Sequence, residues 1–498
     1  MKNEFKRSSG VVMPIFSLPS PYGIGTFGKA AYEFVDNLKN SGQSYWQILP
    51  LGHTGFGESP YKCFSVVAGN PYFIDLDLLV DQGLLTKEFI LNSGVELNYE
   101  NIDYKKILNT RLKILHKAFE NISEDYITKI ESFKNENSDW IYDYSLFMAV
   151  KKCFKNKPFW EWDDKQIVKR NPKTIEYYSN VLKNDIDFYI FIQYLFFEQW
   201  NNLKTYTNSN GIKFIGDIPM YPSADSVDVW VNPNLFKLKE NLSPNKVAGV
   251  PPDCYCETGQ LWGNPIYNWE EHKKQNYSWW MWRIKHTLNM SDVIRIDHFR
   301  AFQSYWEIPA DDDTAINGTW QPGPGIEFFN ELKKQLGDVP IIAEDLGFID
   351  ESVRELLKQT GYPGMKVMVF GLYDGDDSIH LPHNWEKNTI GYTSTHDSET
   401  FCEHINEFIS EKDKEFAINY INYTHTEPLG FCGIRCNLAS PANLSMILMP
   451  DILSLGSEAR INIPSTININ WKWRMKPGAF TKEYQERLYN LTKTYKRL

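Results

Sequence analysis

Residues 292–299 read DVIRIDHF. From Ile294 to Asp297 apolar and polar side chains alternate, the period of a β-strand. Ahead of the strand, 279–288 has helical spacing. The same arrangement recurs at 339–346 (VPIIAEDL), 365–371 (MKVMVFG) and 390–397 (IGYTSTHD), and further apart at 45–51 (YWQILPL), 213–219 (KFIGDIP) and 445–453 (SMILMPDIL). Helical patterns at 29–41, 326–335 and 350–359 lie between these runs; in the first, Ala31, Phe34, Val35 and Leu38 fall at i, i+3, i+4 and i+7. Strands alternating with helices predict βα units and a parallel sheet.

Spacing locates the insertions. A βα unit needs roughly 30 residues. Glu344 to Gly371 is 27 residues and Gly371 to Asp397 is 26, close to the minimum. Asp217 to Asp297 is 80 residues, which leaves roughly 50 over for an insertion at about 222–278. Residues from about 80 to 210 are rich in Lys, Asn, Glu and Ile, with helical periodicity, and predict a mostly helical insertion. Within it, YIFIQYLFFEQW (189–200) is too short to span a bilayer and reads as a buried helix.

Composition narrows the function. Of 498 residues, 42% are hydrophobic and 23% charged, an ordinary globular balance. The formal charge of −11, with no basic stripe, argues against nucleic acid. Aromatics reach 15%, which suits a large core or a groove that stacks flat ligands. Seven cysteines, an odd number, read as reduced thiols. The N-terminus, MKNEFKRSSG, lacks the apolar segment of a signal peptide, so a cytoplasmic location with no membrane association is expected.

The chemistry is signalled by where the acids stand. Asp217, Asp297, Glu344 and Asp397 each end an apolar run, and in parallel α/β folds the C-terminal strand ends carry the active site. Arg295 shares a strand face with Asp297 and is expected to hold it ionised, as a nucleophile requires. Glu344 has no cation beside it in sequence and is followed by Asp345, which suits a carboxyl kept protonated as a general acid. Such a pair is the usual equipment for glycosidic bond cleavage.

At these residues the chain resembles the 4-α-glucanotransferases called amylomaltases or disproportionating enzymes, of the α-amylase superfamily. The resemblance is carried in order by RSSGVVMPIFSLPSPYGIGTFG, SYWQILPLGHTGFGESPYKCFS, GDIPMYPSADSVDVW, AGVPPDCYCETGQLWGNPIYNW, VIRIDHFRAF, IIAEDLG, PGMKVMVF, TSTHDSET and NIPSTININWKWRM. It implies a single catalytic (β/α)8 TIM barrel over 1–498 with inserted, mostly helical subdomains. It implies that Asp297 is the nucleophile, Glu344 the general acid/base and Asp397 the acid that stabilises the transition state. Asp217, Arg295, His298 and His396 would hold the sugar at the scissile bond, with Tyr61 as its aromatic floor. Tyr255, Gln260 and Trp262 would lie on a loop, 249–263, covering the acceptor side, and Phe370 and Asn462 are further matches. The substrates implied are maltooligosaccharides and α-1,4-glucans, with no cofactor, metal or protein partner. Two departures stand out. The loop tip reads DCYCE where the family more often has two adjacent aromatics or an aromatic plus a small residue, which bears on stacking at Cys254, and Pro464-Ser465 stands where Pro-Gly is usual, which predicts an altered turn.

Other motifs read as structure. Gly23, Gly25 and Gly28 fit G-x-G-x-x-G, but SLPSPY precedes them where a dinucleotide fingerprint needs a strand. Cys254-x-Cys256 and Cys432-x3-Cys436 lack zinc-ligand spacing. His53 and His404 read as ordinary histidines, and Trp279, Trp280 and Trp282 as helix side chains packed on the barrel. Two other functions stay open: an α-1,4-glucan hydrolase of the same superfamily, and a catalytically silent glucan-binding protein.

Overall fold

The computed structural model describes residues 5–55, 57–253, 256–372 and 377–498. Twelve strands are numbered in chain order: β1 (Ser8–Val12), β2 (Tyr45–Gln47), β3 (Lys213–Ile218), β4 (Lys246–Val250), β5 (Gln260–Pro265), β6 (Val293–Ile296), β7 (Ser304–Pro309), β8 (Thr319–Pro322), β9 (Ile341–Ala343), β10 (Gly364–Val367), β11 (Thr389–Tyr392) and β12 (Leu444–Leu448). Eight of them form one parallel sheet in the order β10-β11-β12-β1-β2-β3-β6-β9. The sheet curls until its ends meet: the Ala343 N–H at the end of β9 donates to Pro363 O beside β10 at 3.0 Å. The architecture is a (β/α)8 barrel, as expected. Its apolar strand residues, among them Val11, Trp46, Phe214, Ile294, Ile342, Val367, Ile390 and Met446, are buried.

The expected runs each contain a strand, and each strand stops before its run does. The strand from 390–397 ends at Tyr392 and that from 339–346 at Ala343. Beyond each strand end the chain is loop, where the polar side chains are free to turn inward. β1, SSGVV, falls outside the expected runs; two serines and a glycine give it no alternation to read. Outer helices occupy Lys29–Asn40, Ser278–Met290, Ile326–Leu336 and Glu351–Thr360, within two residues of the expected spans. The last is capped at both ends: Asp350 Oδ1 accepts from the Ser352 and Val353 N–H groups, and Gly361 closes it at φ 72°.

Between β2 and β3 the chain is helical, ending in the 27-residue helix Lys183–Ser209 that buries Phe191, Leu195, Phe196 and Trp200. Stretch 222–278 instead contributes two strands. β4 and β5 join β7 and β8 in an antiparallel sheet of order β5-β4-β7-β8 beside the barrel mouth. Gly249 permits this hairpin, since a side chain there would collide with Gln260 O. The glycines of G-x-G-x-x-G are explained by packing too: a Cβ at Gly25 would meet Ile15 O, and one at Gly28 the Asp75 carboxylate. Trp279 and Trp280 are buried, as expected, while Trp282 donates its indole N–H to Asp139 at 2.6 Å. His53 is buried against Tyr144, 2.8 Å from its hydroxyl. Among the described residues no helix is long and apolar enough to cross a membrane.

Candidate active site

Strand register builds the site. β3 pairs with β6 so that Asp217 lies opposite Arg295, and β6 pairs with β9 so that Ile296 lies opposite Ala343. One residue further on, Asp297 and Glu344 face each other across adjacent strands. The Arg295 side chain points into the barrel mouth, where Nη1 donates to Asp217 Oδ1 and Oδ2 at 2.8 and 2.7 Å and to Asp297 Oδ1 at 3.1 Å. Arg295 and Asp297 thus meet as expected, but the cation is shared and Asp217 takes the shorter contacts.

That sharing changes the electrostatics. Burial pushes the Asp297 carboxyl up; Arg295 pulls it down, and the charges of Asp217, Glu344 and Asp397 push it up again. Burial also raises Glu344, against the pull of Arg295 and of two backbone donors. The expectation that Arg295 alone keeps Asp297 ionised does not hold here, because desolvation and like charge outweigh one shared cation. The two carboxyls titrate as a pair that holds a proton more tightly than isolated acids do.

Glu344 is held by two backbone donors. Its Oε2 accepts the His298 N–H at 2.6 Å and its Oε1 the Leu346 N–H at 2.8 Å. His298 reaches this position through a left-handed backbone, φ 50°. Its imidazole is pushed down to about 3, by burial first and then by the Arg300 charge, so it is neutral. The ring meets Trp262 edge-on, with centroids 4.8 Å apart.

The opposite wall is one hydrogen-bonded network. Tyr61 donates its hydroxyl to Asp217 Oδ2 at 2.8 Å, lies 2.7 Å from His396 Nε2 and stacks on that ring at 11°. His396 Nε2 is 3.0 Å from Asp397 Oδ2, and Asn462 Nδ2 donates to Asp397 Oδ1 at 2.7 Å. Burial pushes Asp397 up, but His396 and the Asn462 amide overcome it and hold the carboxyl at about 2. Asp397 is therefore the permanently ionised acid of the three.

Gln260 and Trp262 stand on β5 rather than on the loop itself, with the indole N–H donating to Gln260 Oε1 at 3.0 Å. Tyr255 and Cys254 lie outside the described residues. Phe370 ends the short helix Met368–Phe370 and meets His380 edge-on at 5.7 Å. All the other expected site residues lie on C-terminal strand ends or the loops beyond them.

The support behind the site had little signal in sequence. Asp451 Oδ2 accepts the Thr393 and Ser394 hydroxyls at 2.5 and 2.6 Å, and its Oδ1 the Phe401 N–H at 2.8 Å, so it pins both ends of the Asp397 loop. Arg460 pairs with Glu399 at 3.0 Å and Glu403 at 3.1 Å and donates to Asn462 O. An acid inside the apolar run 445–453 was the one hint of Asp451.

A family model described as 4-alpha-glucanotransferase matches residues 13–481. The chain belongs to the 4-alpha-glucanotransferase family. It is 48% identical to a 4-alpha-glucanotransferase of Clostridium butyricum over 97% of this chain and all of that one. It is also similar to a solved amylomaltase of Streptococcus agalactiae in complex with acarbose, at 44% identity and a TM-score of 0.96, covering 99% of this chain and 100% of that one. An amylomaltase of Corynebacterium glutamicum, at 17% identity and a TM-score of 0.79 over 98% of this chain and 75% of that one, shares the fold. As a member of the 4-alpha-glucanotransferase family, this chain is a glucan-transferring enzyme.

Proposed function

We propose that this enzyme moves α-1,4-glucan segments from a maltooligosaccharide or starch donor to a glucose or glucan acceptor by a retaining double displacement. Asp297 Oδ attacks the anomeric carbon while Glu344 gives its proton to the glycosidic oxygen, and the leaving glucan departs. Glu344, now a base, takes the proton of the acceptor hydroxyl, whose oxygen displaces Asp297. Two carboxyls of a retaining pair stand ~5–5.5 Å apart. Placement one residue past paired positions on adjacent strands, which are spaced about 4.8 Å, supports that geometry.

The electrostatics support a pair that shares one proton. A pair that retains one proton supplies one acid and one nucleophile. Burial raises both acids and Arg295 pulls both down, so the proton belongs to the pair, and in the proposed reaction Glu344 carries it when Asp297 attacks. Asp397, ionised to about 2, accepts hydroxyl hydrogen bonds that tighten as the ring flattens, so it assists the transition state more than the ground state. Neutral His298 can donate or accept, and Tyr61 supplies an aromatic floor already held in place by Asp217 and His396. Trp262 walls the Glu344 side, where excluding water lets an acceptor compete with hydrolysis.

The observation that carries the reading is the register that sets Asp297 and Glu344 side by side with Arg295 between Asp217 and Asp297. The test is incubation with maltotriose and no added cofactor, followed by chromatography. Glucose together with maltotetraose and longer chains is the expected product set. Glucose and maltose alone would instead identify a hydrolase, and unchanged maltotriose a silent binder.

A further inference from the structure

Outside the cleft, the most exposed aromatic side chain among the described residues is Phe348, 67% accessible. It stands four residues after Glu344 on the same loop, at most about 14 Å along the chain. Beside it is Trp320 of β8, 36% accessible. The two rings lie 6.4 Å apart and within 27° of parallel. Arg300, itself buried, covers one face of Trp320 with its guanidinium 3.8 Å from the ring centroid, and Trp306 meets the indole edge-on at 5.2 Å. The same guanidinium donates to Phe348 O at 2.9 Å and to Asp350 Oδ2 at 3.2 Å. The Trp320 ring and the Phe348 backbone are thus held rigidly, while their apolar faces stay in water.

We infer that Trp320 and Phe348 form an outer subsite for the acceptor chain, on which sugars several units from the reacting bond stack. This rests on the reaction proposed above. The general acid protonates the oxygen shared with the leaving piece, so the leaving and acceptor chains extend on the Glu344 side, and Phe348 stands on the Glu344 loop. Glucan rings present flat C–H faces, the surface that an aromatic ring matches. A ring fixed beforehand, as that of Trp320 is, loses little entropy when the chain docks. As proposed, a long acceptor reaches this subsite and glucose bound beside Glu344 does not.

The test compares Phe348→Ala and Trp320→Ala with the parent enzyme, using maltotriose as donor and 14C-labelled glucose or maltohexaose as acceptor. An aromatic contact of this kind corresponds to roughly a three- to tenfold effect. Both variants should raise KM for maltohexaose by about that factor, far more than KM for glucose, with little change in kcat. Phe348 is so exposed that its truncation leaves folding intact, and Arg300 still bonds its backbone carbonyl. Equal shifts for the two acceptors, or none for maltohexaose, would overturn the subsite. A change in native mass of the Phe348 variant would also overturn it, by making the rings a contact between copies of the chain. Absence of transfer by the parent enzyme to either acceptor would instead strike at the proposed reaction.

Discussion

At the residue scale, the acids proposed for catalysis are placed where they cost stability. Asp297 and Glu344 bind a proton more tightly folded than unfolded, because burial and mutual repulsion outweigh Arg295. A carboxyl whose folded pKa lies above its unfolded value near 4 binds more protons in the native state, so stability declines as pH rises from about 4 through the folded pKa. Asp297→Asn and Glu344→Gln should therefore raise the melting temperature at pH 7, and the gain should vanish below about pH 4. Glu344→Gln should also cut transfer by about 10²- to 10⁴-fold. Calorimetry at both pH values, beside maltotriose transfer rates, checks this; a lower melting temperature at pH 7 would mean that Arg295 and the backbone donors dominate. Asp397 behaves oppositely. Its pKa of about 2 lies below the unfolded value, so its contribution is present above about pH 4 and fades only as pH falls through 2.

At the element scale, loops carry the site and need their own supports. The loop after β12 brings Asn462 to Asp397 and then turns at Ser465, whose φ is 65°. Serine thus adopts, at the expense of strain, the left-handed conformation that glycine enters freely. The turn is held by Asn470, which accepts the Ile463 N–H at 2.9 Å and donates to Thr466 O at 2.9 Å. Ser465→Gly should stabilise by up to about 1 kcal/mol, whereas Ser465→Val should destabilise by about 1–2 kcal/mol. Opposite shifts in thermal midpoint, with the valine variant nicked faster in 463–470 by protease, are the expected signature; equal shifts would rule out strain at this turn.

At the scale of the whole molecule, the barrel depends on joining its first strand to its last. β1 pairs with β12, and Arg497, fully buried, ties them from below. Its guanidinium donates to the carbonyls of Ser8, Leu438, Ser440, Ala442 and Asn443 at 2.7 to 3.2 Å. Arg497→Met keeps the bulk but removes these bonds; Arg7 still donates to the Leu438, Ser440 and Ala442 carbonyls and the Ser8 N–H to Asn443 O, so the loss should be about 1–3 kcal/mol of stability in denaturant unfolding. Because the residue lies at the opposite end of the barrel from the acids, kcat at 25 °C should hold; an unchanged unfolding midpoint would show that the other strand pairs close the barrel unaided.

How much was legible in sequence depends on how local each signal is. The strands from 213, 293, 341, 364 and 389 were readable because their side chains are apolar for several residues and then turn polar at a fixed place, and the four acids were readable because they stand at that place. The long buried helix was readable from its unbroken apolar run. Strand β1 was hidden by its serines and glycine, and β7 and β8 by their mixture of aromatic, polar and proline residues. How these pieces meet was set by packing across the barrel. Register set Arg295 between two acids instead of beside one, and burial then raised Asp297 and Glu344 together while His396 and Asn462 held Asp397 low. Residues far apart in the chain, such as Asp451, Arg460, Trp320 and Phe348, acquired their contacts in the same way. Sequence determines which groups exist and on which face of an element they stand; pKa values and contacts depend on distances across elements, and those arise only when the barrel closes.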